Sequence, residues 1–267
     1  YACGLTAADE LYCWGAAPHL AEPTHIPSKV DAVPFTDFAA GEYHACGLDA
    51  EGAAWCWGEG VNGELGRGDS LSSMVPMKVD GDRRFTSVAA GWRRTCAIDV
   101  QERAVCWGVG IYQERVLTPR IVNGTRAFTA LAVGPYYTCG LTDDGAAYCW
   151  GWSGSGAVGS VFDIGTWLLY PTRVDAAEEW VSISADGIGD HTCAITVQGE
   201  AWCWGSNQYG QIGDASPGVN RHIPVRVHDP PSLPGASQND ASKVVLPTGA
   251  VLPRNETRAR DAAAPPG

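Results

Sequence analysis

Ten cysteines, Cys3, Cys13, Cys46, Cys56, Cys96, Cys106, Cys139, Cys149, Cys193 and Cys203, form five pairs with the same ten-position spacing. Cysteines in such numbers can ligate zinc, sit as buried free thiols or oxidise to disulfides. Zinc ligands come as close pairs such as C-x-x-C, and the sequence contains none. Five pairs at a single spacing point instead to five disulfides, each within one repeat. Stable disulfides belong to an oxidising compartment, so the chain is expected to be secreted or at a cell surface. Each bridge closes a short loop and contributes at the low end of the roughly 2–4 kcal/mol range, its main effect being to pin hairpin register.

A bridge across ten positions needs a hairpin that sets the two sulfurs opposite each other. In the second copy, a three-residue loop at Ala50-Glu51-Gly52, with Gly52 left-handed, sets Asp49 against Ala53 and Leu48 against Ala54. Gly47 then faces Trp55 and Cys46 faces Cys56, with Cα atoms about 4.5–5.5 Å apart. The fourth and fifth copies turn at Asp143-Asp144-Gly145 and Val197-Gln198-Gly199, again with glycine third. The first copy has Asp9 there, which tolerates that backbone region. Glu102 of the third fits it poorly, so that turn is expected to differ.

Each hairpin sits in a longer unit. Successive first cysteines are 43, 50, 43 and 54 residues apart, a period of propellers and solenoids. Upstream of the cysteine lies a short strand ending in small residues: Phe38-Ala39-Ala40-Gly41, Val88-Ala89-Ala90-Gly91, Leu131-Ala132-Val133-Gly134 and Ile183-Ser184-Ala185. Downstream of Cys-Trp-Gly comes a variable loop, then a Pro-x-x-Val strand beginning at Pro27, Pro76, Pro119, Pro171 or Pro224. Four short strands per repeat make one propeller blade, and helical periodicity is absent. The expected fold is therefore all-β, a β-propeller of four-stranded blades with repeats at 1–30, 31–79, 80–122, 123–174 and 175–227. Residues 228–267 hold seven prolines in 40 positions and read as a Pro-rich linker or flexible tail.

The block Gly205-Ser206-Asn207-Gln208-Tyr209-Gly210-Gln211-Ile212-Gly213, with Val88-Ala89-Ala90-Gly91 and Cys-Trp-Gly, resembles the regulator-of-chromosome-condensation repeat family. Gly58-Glu59-Gly60-Val61-Asn62-Gly63-Glu64-Leu65-Gly66 fits it nearly as well. With its cysteines the chain is similar to the secreted branch of that family, which includes extracellular propellers of plant receptor kinases. The resemblance spans roughly residues 1–227 and implies the fold; functions on this fold include exchange factors, enzyme inhibitors and receptor ectodomains. Members close a ring of seven blades, so five repeats imply part of a larger ring, or closure by another element such as Lys243-Val244-Val245-Leu246. The first repeat lacks its leading small-residue strand.

Binding candidates lie between that small strand and each first cysteine, where the copies differ: Tyr43 and His44 after Glu42; Trp92, Arg93 and Arg94; Tyr136 and Tyr137 after Pro135; Asp190 and His191 after Gly189. Equivalent loops of successive blades gather at one end of a propeller, and aromatic and arginine side chains there make favoured binding anchors. His44 and His191 align with each other, which suits a structural hydrogen bond more than catalysis. Trp14, Trp57, Trp107, Trp150 and Trp204 recur once per blade and are expected in blade-to-blade packing. Two glycosylation sequons stand at Asn123-Gly124-Thr125 and Asn255-Glu256-Thr257.

Catalysis finds no Gly-x-Ser-x-Gly elbow, phosphate loop or His-Glu-x-x-His, so no catalytic residue, cofactor or metal is expected. Net charge is −12, and the tail from His228 on is balanced, so the excess lies on the repeats. A nucleic-acid partner and an anionic membrane surface would both be repelled, and no apolar run is long enough to insert. The chemistry favours an extracellular recognition or adhesion module that binds a protein or glycan through blade-end loops. A structural subunit contacting neighbours in a sheath, wall or appendage comes next, then an enzyme inhibitor. Disulfides and negative charge disfavour a nuclear exchange factor.

Overall fold

Every cysteine pair is bridged within its own hairpin in the computed structural model of the chain, which describes residues 1–228 apart from 111, 112, 125, 163 and 186–188. In the second repeat, Asp49 N–H donates to Ala53 C=O at 3.0 Å, making that pair hydrogen-bonded. Counting outward, Cys46 and Cys56 fall on a non-hydrogen-bonded pair, where antiparallel strands come closest. The bridged Cα atoms are 4.0 Å apart in the first hairpin and 4.1 Å in the others, closer than the spacing expected from strand geometry alone.

The hairpins build five antiparallel sheets. The first has three strands, β1 (Ala2–Leu5), β2 (Leu11–Gly15) and β3 (Thr24–Lys29). The second comprises β4 (Asp37–Ala40), β5 (His44–Leu48), β6 (Ala54–Gly58) and β7 (Ser73–Lys78). The third has β8 (Phe85–Ala90), β9 (Arg94–Asp99), β10 (Ala104–Val109) and β11 (Arg115–Ile121). The fourth has β12 (Ala130–Val133), β13 (Tyr137–Leu141), β14 (Ala147–Trp152) and β15 (Trp167–Arg173). The fifth has β16 (Trp180–Ala185), β17 (His191–Thr196), β18 (Ala201–Gly205) and β19 (Arg221–Arg226). No helix occurs among the described residues, and the ring-closing candidate Lys243–Leu246 lies outside them.

The turn expected to differ does not. Glu102 takes φ 62°, beside Gly52 at 76° and Asp9 at 58°. Asp99, fully buried, holds the turn in shape: its Oδ1 accepts from the N–H groups of Gln101 and Arg103, both at 3.0 Å. Its Oδ2 meets the guanidinium groups of Arg103 and Arg83 at 2.7 and 2.9 Å. The prolines stand inside the outermost strands rather than at their starts. Each outer strand bulges where it passes the Cys-Trp-Gly segment, and at a bulged edge the missing N–H of proline loses no ladder bond.

Consecutive sheets pack face to face around the repeated tryptophan. Trp57 and Phe35 sit on Leu11, Cys13 and Val30 of the first sheet. Trp107 and Phe85 sit on Cys46 and Cys56 of the second, and on Leu65 and Val79 of its connecting segments. Trp150 and Phe128 face Ile98 and Ala104 of the third, and Trp204 and Trp180 face Cys139, Cys149 and Val174 of the fourth. Those four tryptophans are at most 1% exposed. Trp14 occupies the same position in the first sheet but is half-buried, because no sheet among the described residues packs on that side. The same contrast marks the other end: β5, β9 and β13 are buried at every position, whereas β17 is buried only at alternate ones.

Candidate functional site

The loops from the inner to the second strand of the second, third and fourth sheets meet at one end of the molecule. Glycine makes this possible: a Cβ on Gly41 would stand 2.5 Å from Gly91 O, and one on Gly91 would stand 2.7 Å from Val133 O. Each loop is fixed from below by the same backbone bond. The N–H of Glu59, Val109, Trp152 or Ser206 donates to the carbonyl of Tyr43, Arg93, Tyr136 or Asp190, at 2.8, 2.8, 3.0 and 2.6 Å.

Strand alternation divides the candidate residues into two sets. Tyr43, Arg93, Tyr136 and Asp190 are the last residues of their loops; His44, Arg94, Tyr137 and His191 are the first of the following strands. His44, Arg94 and Tyr137 point into the packing between sheets and are buried, so they leave the surface expected of them. Thr95 Oγ1 donates to Glu64 C=O at 3.2 Å and lies 2.8 Å from His44 Nε2, which therefore donates to it. Burial pushes the His44 imidazole down to about 4. Tyr137 O–H donates to His191 C=O at 2.5 Å, as Tyr1 O–H does to His44 C=O at 2.6 Å. Arg94 donates to the carbonyls of Val109 and Gly110 at 2.6 and 2.8 Å, and burial lowers its pKa to about 10, which leaves it cationic at neutral pH. His191 stands at the equivalent place in the fifth sheet and stays half-buried.

A set of threonines that sequence reasoning missed completes these junctions. Thr95, Thr138 and Thr192 precede the first cysteine of their repeats, and each hydroxyl lies against a sulfur of the preceding disulfide, at 3.5, 3.8 and 3.9 Å. Thr95 shares the Glu64 carbonyl with Trp107 Nε1, and Thr192 shares the Ala157 carbonyl with Trp204 Nε1. The signal was available as threonine in copies three to five where the first two carry Ala2 and Ala45.

The outward set, with Tyr43 exposed and Trp92, Arg93 and Tyr136 half-buried, comes together across three sheets. Trp92 of the third sheet meets Tyr136 of the fourth edge to face, ring centroids 5.2 Å apart. Arg93 lays its guanidinium over Trp92, 4.6 Å from the ring centroid, within cation–π range. Tyr43 of the second sheet is 45% exposed. Its hydroxyl is hydrogen-bonded to Glu42, which raises its pKa, while the nearby Arg93 charge opposes that rise and Glu59 adds to it. Tyr43, Trp92, Arg93 and Tyr136 thus form an aromatic shelf with one guanidinium on it and two carboxylates at its edge. Asp190 turns instead to the preceding sheet, accepting from Ser155 Oγ at 3.1 Å. No group of three or more His, Cys, Asp or Glu side chains suited to a metal occurs among the described residues. Asn123 is exposed; Thr125 of its sequon and the Asn255 sequon lie outside the described residues.

Two family models, both described as the regulator of chromosome condensation (RCC1) repeat, match the sequence. One covers residues 51–98 and 198–245, the other 35–64, 128–157 and 180–211, together more than half of the chain. No curated protein matches. Among solved structures, Prp20p from Saccharomyces cerevisiae is 21% identical with a TM-score of 0.74, over 85% of this chain and 60% of that one. Human WBSCR16 is 16% identical with a TM-score of 0.68, over 80% of this chain and 61% of that one. The ectodomain of the receptor kinase CR4 from Physcomitrella patens is 22% identical with a TM-score of 0.54, over 81% of this chain and 51% of that one. The chain thus spans about half to three-fifths of the length of these proteins. Repeats matched along the chain, five sheets of one design and a shared propeller fold lead to one conclusion: this chain belongs to the RCC1 repeat family.

Proposed function

We propose that the chain is an extracellular recognition module that binds a protein or glycan through the shelf formed by Tyr43, Trp92, Arg93 and Tyr136. The observation that carries this reading is the cluster of Trp92, Tyr136 and the guanidinium of Arg93, half-buried across two sheets, with the exposed Tyr43 of a third sheet near the Arg93 charge. Aromatic side chains so placed bury much area on contact at little rotamer cost, and arginine adds a charged, stacking anchor. Five disulfides, with no free cysteine, support an oxidising compartment. Prp20p, of the same fold, is a protein with binding properties to Gsp1p and histones, which supports a protein as the partner class.

The test is to screen the purified chain against arrays of secreted ectodomains and of glycans, beside a Tyr43→Ala/Trp92→Ala/Tyr136→Ala variant. A specific partner should lose at least about tenfold in affinity with that variant, the loss of a few anchors of about 1–2 kcal/mol each. A control carrying Glu51→Ala on the opposite hairpin end should bind normally. Partners that ignore the triple variant would sink the assignment of the shelf.

A further inference from the structure

Asparagine is followed by glycine twice in the chain, at Asn62-Gly63 and at Asn123-Gly124. This pair supports a reaction that needs no enzyme. With no Cβ beside it, the backbone nitrogen of the glycine can reach Cγ of the asparagine side chain. Whether it does so depends on what holds the two groups, and the fold treats the two places in opposite ways.

Asn62 lies in the connection from β6 to β7 and is clamped. Its Nδ2 donates to Glu64 Oε1 at 2.7 Å, and its backbone N–H donates to Oε2 of the same carboxylate at 2.8 Å. Glu64 is itself buried, so packing fixes the acceptor. The attacking nitrogen is engaged as well, since Gly63 N–H donates to Gly60 C=O at 2.9 Å. Gly63 is buried against β11, its Cβ position 2.8 Å from Val116 O. Closing a ring here would break both the Nδ2 and the Gly63 hydrogen bonds in packed surroundings, where lost bonds are not replaced by water.

Asn123 has none of these restraints. It lies in the connection from β11 to β12, and both it and Gly124 are exposed. Among the described residues no hydrogen bond engages the Asn123 side chain or the Gly124 N–H. Gly124 takes φ 134°, and the nearest atom to its Cβ position is Pro171 Cδ, at 3.7 Å. We propose that Asn123 is a site of spontaneous deamidation. The Gly124 nitrogen gives up its proton and bonds to Asn123 Cγ, the side-chain nitrogen leaves as ammonia, and a cyclic imide remains. Water then adds at Cγ, breaking the new C–N bond to leave aspartate, or at the Asn123 backbone carbonyl, breaking the original peptide bond to leave isoaspartate. The sheets absorb this change, because the segment is anchored on both sides: Val122 N–H donates to Ala104 C=O at 2.8 Å and Phe128 N–H to Glu102 C=O at 2.7 Å. Either product adds a negative charge and removes the asparagine of the sequon, so deamidation and a glycan on Nδ2 exclude each other at this residue. The site is separate from the shelf, and neither reading depends on the other.

The experiment ages the intact, disulfide-bonded chain, produced without glycans, at neutral pH. Peptides are mapped by mass spectrometry, and isoaspartate is read by its enzymatic methylation. The expected result is conversion at Asn123 at least about tenfold faster than at Asn62, and faster still at mildly alkaline pH, where more of the attacking nitrogen is deprotonated. In the reduced, urea-unfolded chain the two positions should convert at similar rates, because the sequence pair is then all that distinguishes them from other residues. Gly124→Ala should slow Asn123 at least about tenfold and leave Asn62 unchanged. An Asn123 that stays intact in the folded chain, an Asn62 that keeps pace with it there, or undiminished conversion in Gly124→Ala would each overturn the proposal. So would a gap of the same size in the unfolded chain, which would trace the contrast to sequence rather than to the fold.

Discussion

The His44 imidazole lies wholly inside the second and third sheets, and desolvation pushes its pKa to about 4, well below its ordinary value of 6.5. The native state therefore refuses a proton that the unfolded chain accepts. Stability contributed in this way is complete above about pH 6.5 and is lost as pH falls from there through 4, by up to about 3 kcal/mol. His44→Gln, which keeps a donor for Thr95, should flatten that acid limb in urea unfolding between pH 7 and 4, even if it lowers stability throughout. An unchanged slope would place the acid sensitivity elsewhere. The repeated tryptophans allow a second comparison. Trp107 Nε1 donates to Glu64 C=O at 2.8 Å, whereas Trp57 Nε1 is buried without an acceptor among the described residues. Trp107→Phe should therefore destabilise more than Trp57→Phe, by about 1 kcal/mol, the worth of one buried hydrogen bond.

Hairpins carried most of what could be read in advance. Ten-position cysteine spacing, glycine at the third turn position and the Cys-Trp-Gly block together fix register, because a three-residue loop leaves one way to oppose the sulfurs. What failed at this level was Glu102, judged by its own propensity. The turn is held by Asp99, three residues earlier, through two N–H bonds and two guanidinium contacts, and Glu102 follows into the left-handed region. That conformation costs a residue with a Cβ roughly 1–2 kcal/mol, part of which glycine returns through its freer unfolded chain. Glu102→Gly should thus stabilise by about 0.5–1 kcal/mol, read as a raised urea midpoint with unchanged m-value. The converse, Gly52→Ala, combines a left-handed φ with a Cβ 2.6 Å from Phe85 O and should clearly destabilise. The loop residues were legible only as a group. Sequence showed that 42–44, 92–94, 135–137 and 189–191 vary together, but the step from loop to strand sends one side chain outward and the next inward. The inward partners, such as Thr95 for His44, lie about one repeat away and leave no local trace.

Across the chain, the clusters of the described residues join only consecutive sheets, so among those residues the first and fifth sheets each pack on one neighbour and the middle three on two. Repeat arrays owe much of their stability to such neighbour interfaces, and a sheet with one neighbour opens more readily than one with two. Chemistry on the disulfides should report this directly. Cys46, Cys56, Cys139 and Cys149 are fully buried, between sheets on both sides, while Cys3 and Cys193 are half-buried at the open ends. Reduction requires a nucleophile to reach a sulfur, so access sets the order when the bridges are otherwise alike. With limiting water-soluble phosphine at neutral pH, Cys3–Cys13 and Cys193–Cys203 should be reduced first and Cys46–Cys56 and Cys139–Cys149 last, as mapped by alkylation and mass spectrometry. Cys96–Cys106 should fall between, since Cys96 is buried and Cys106 half-buried. Uniform reduction of all five would mean that the sheets open together as one unit, and the uncovered ends would then confer no local weakness.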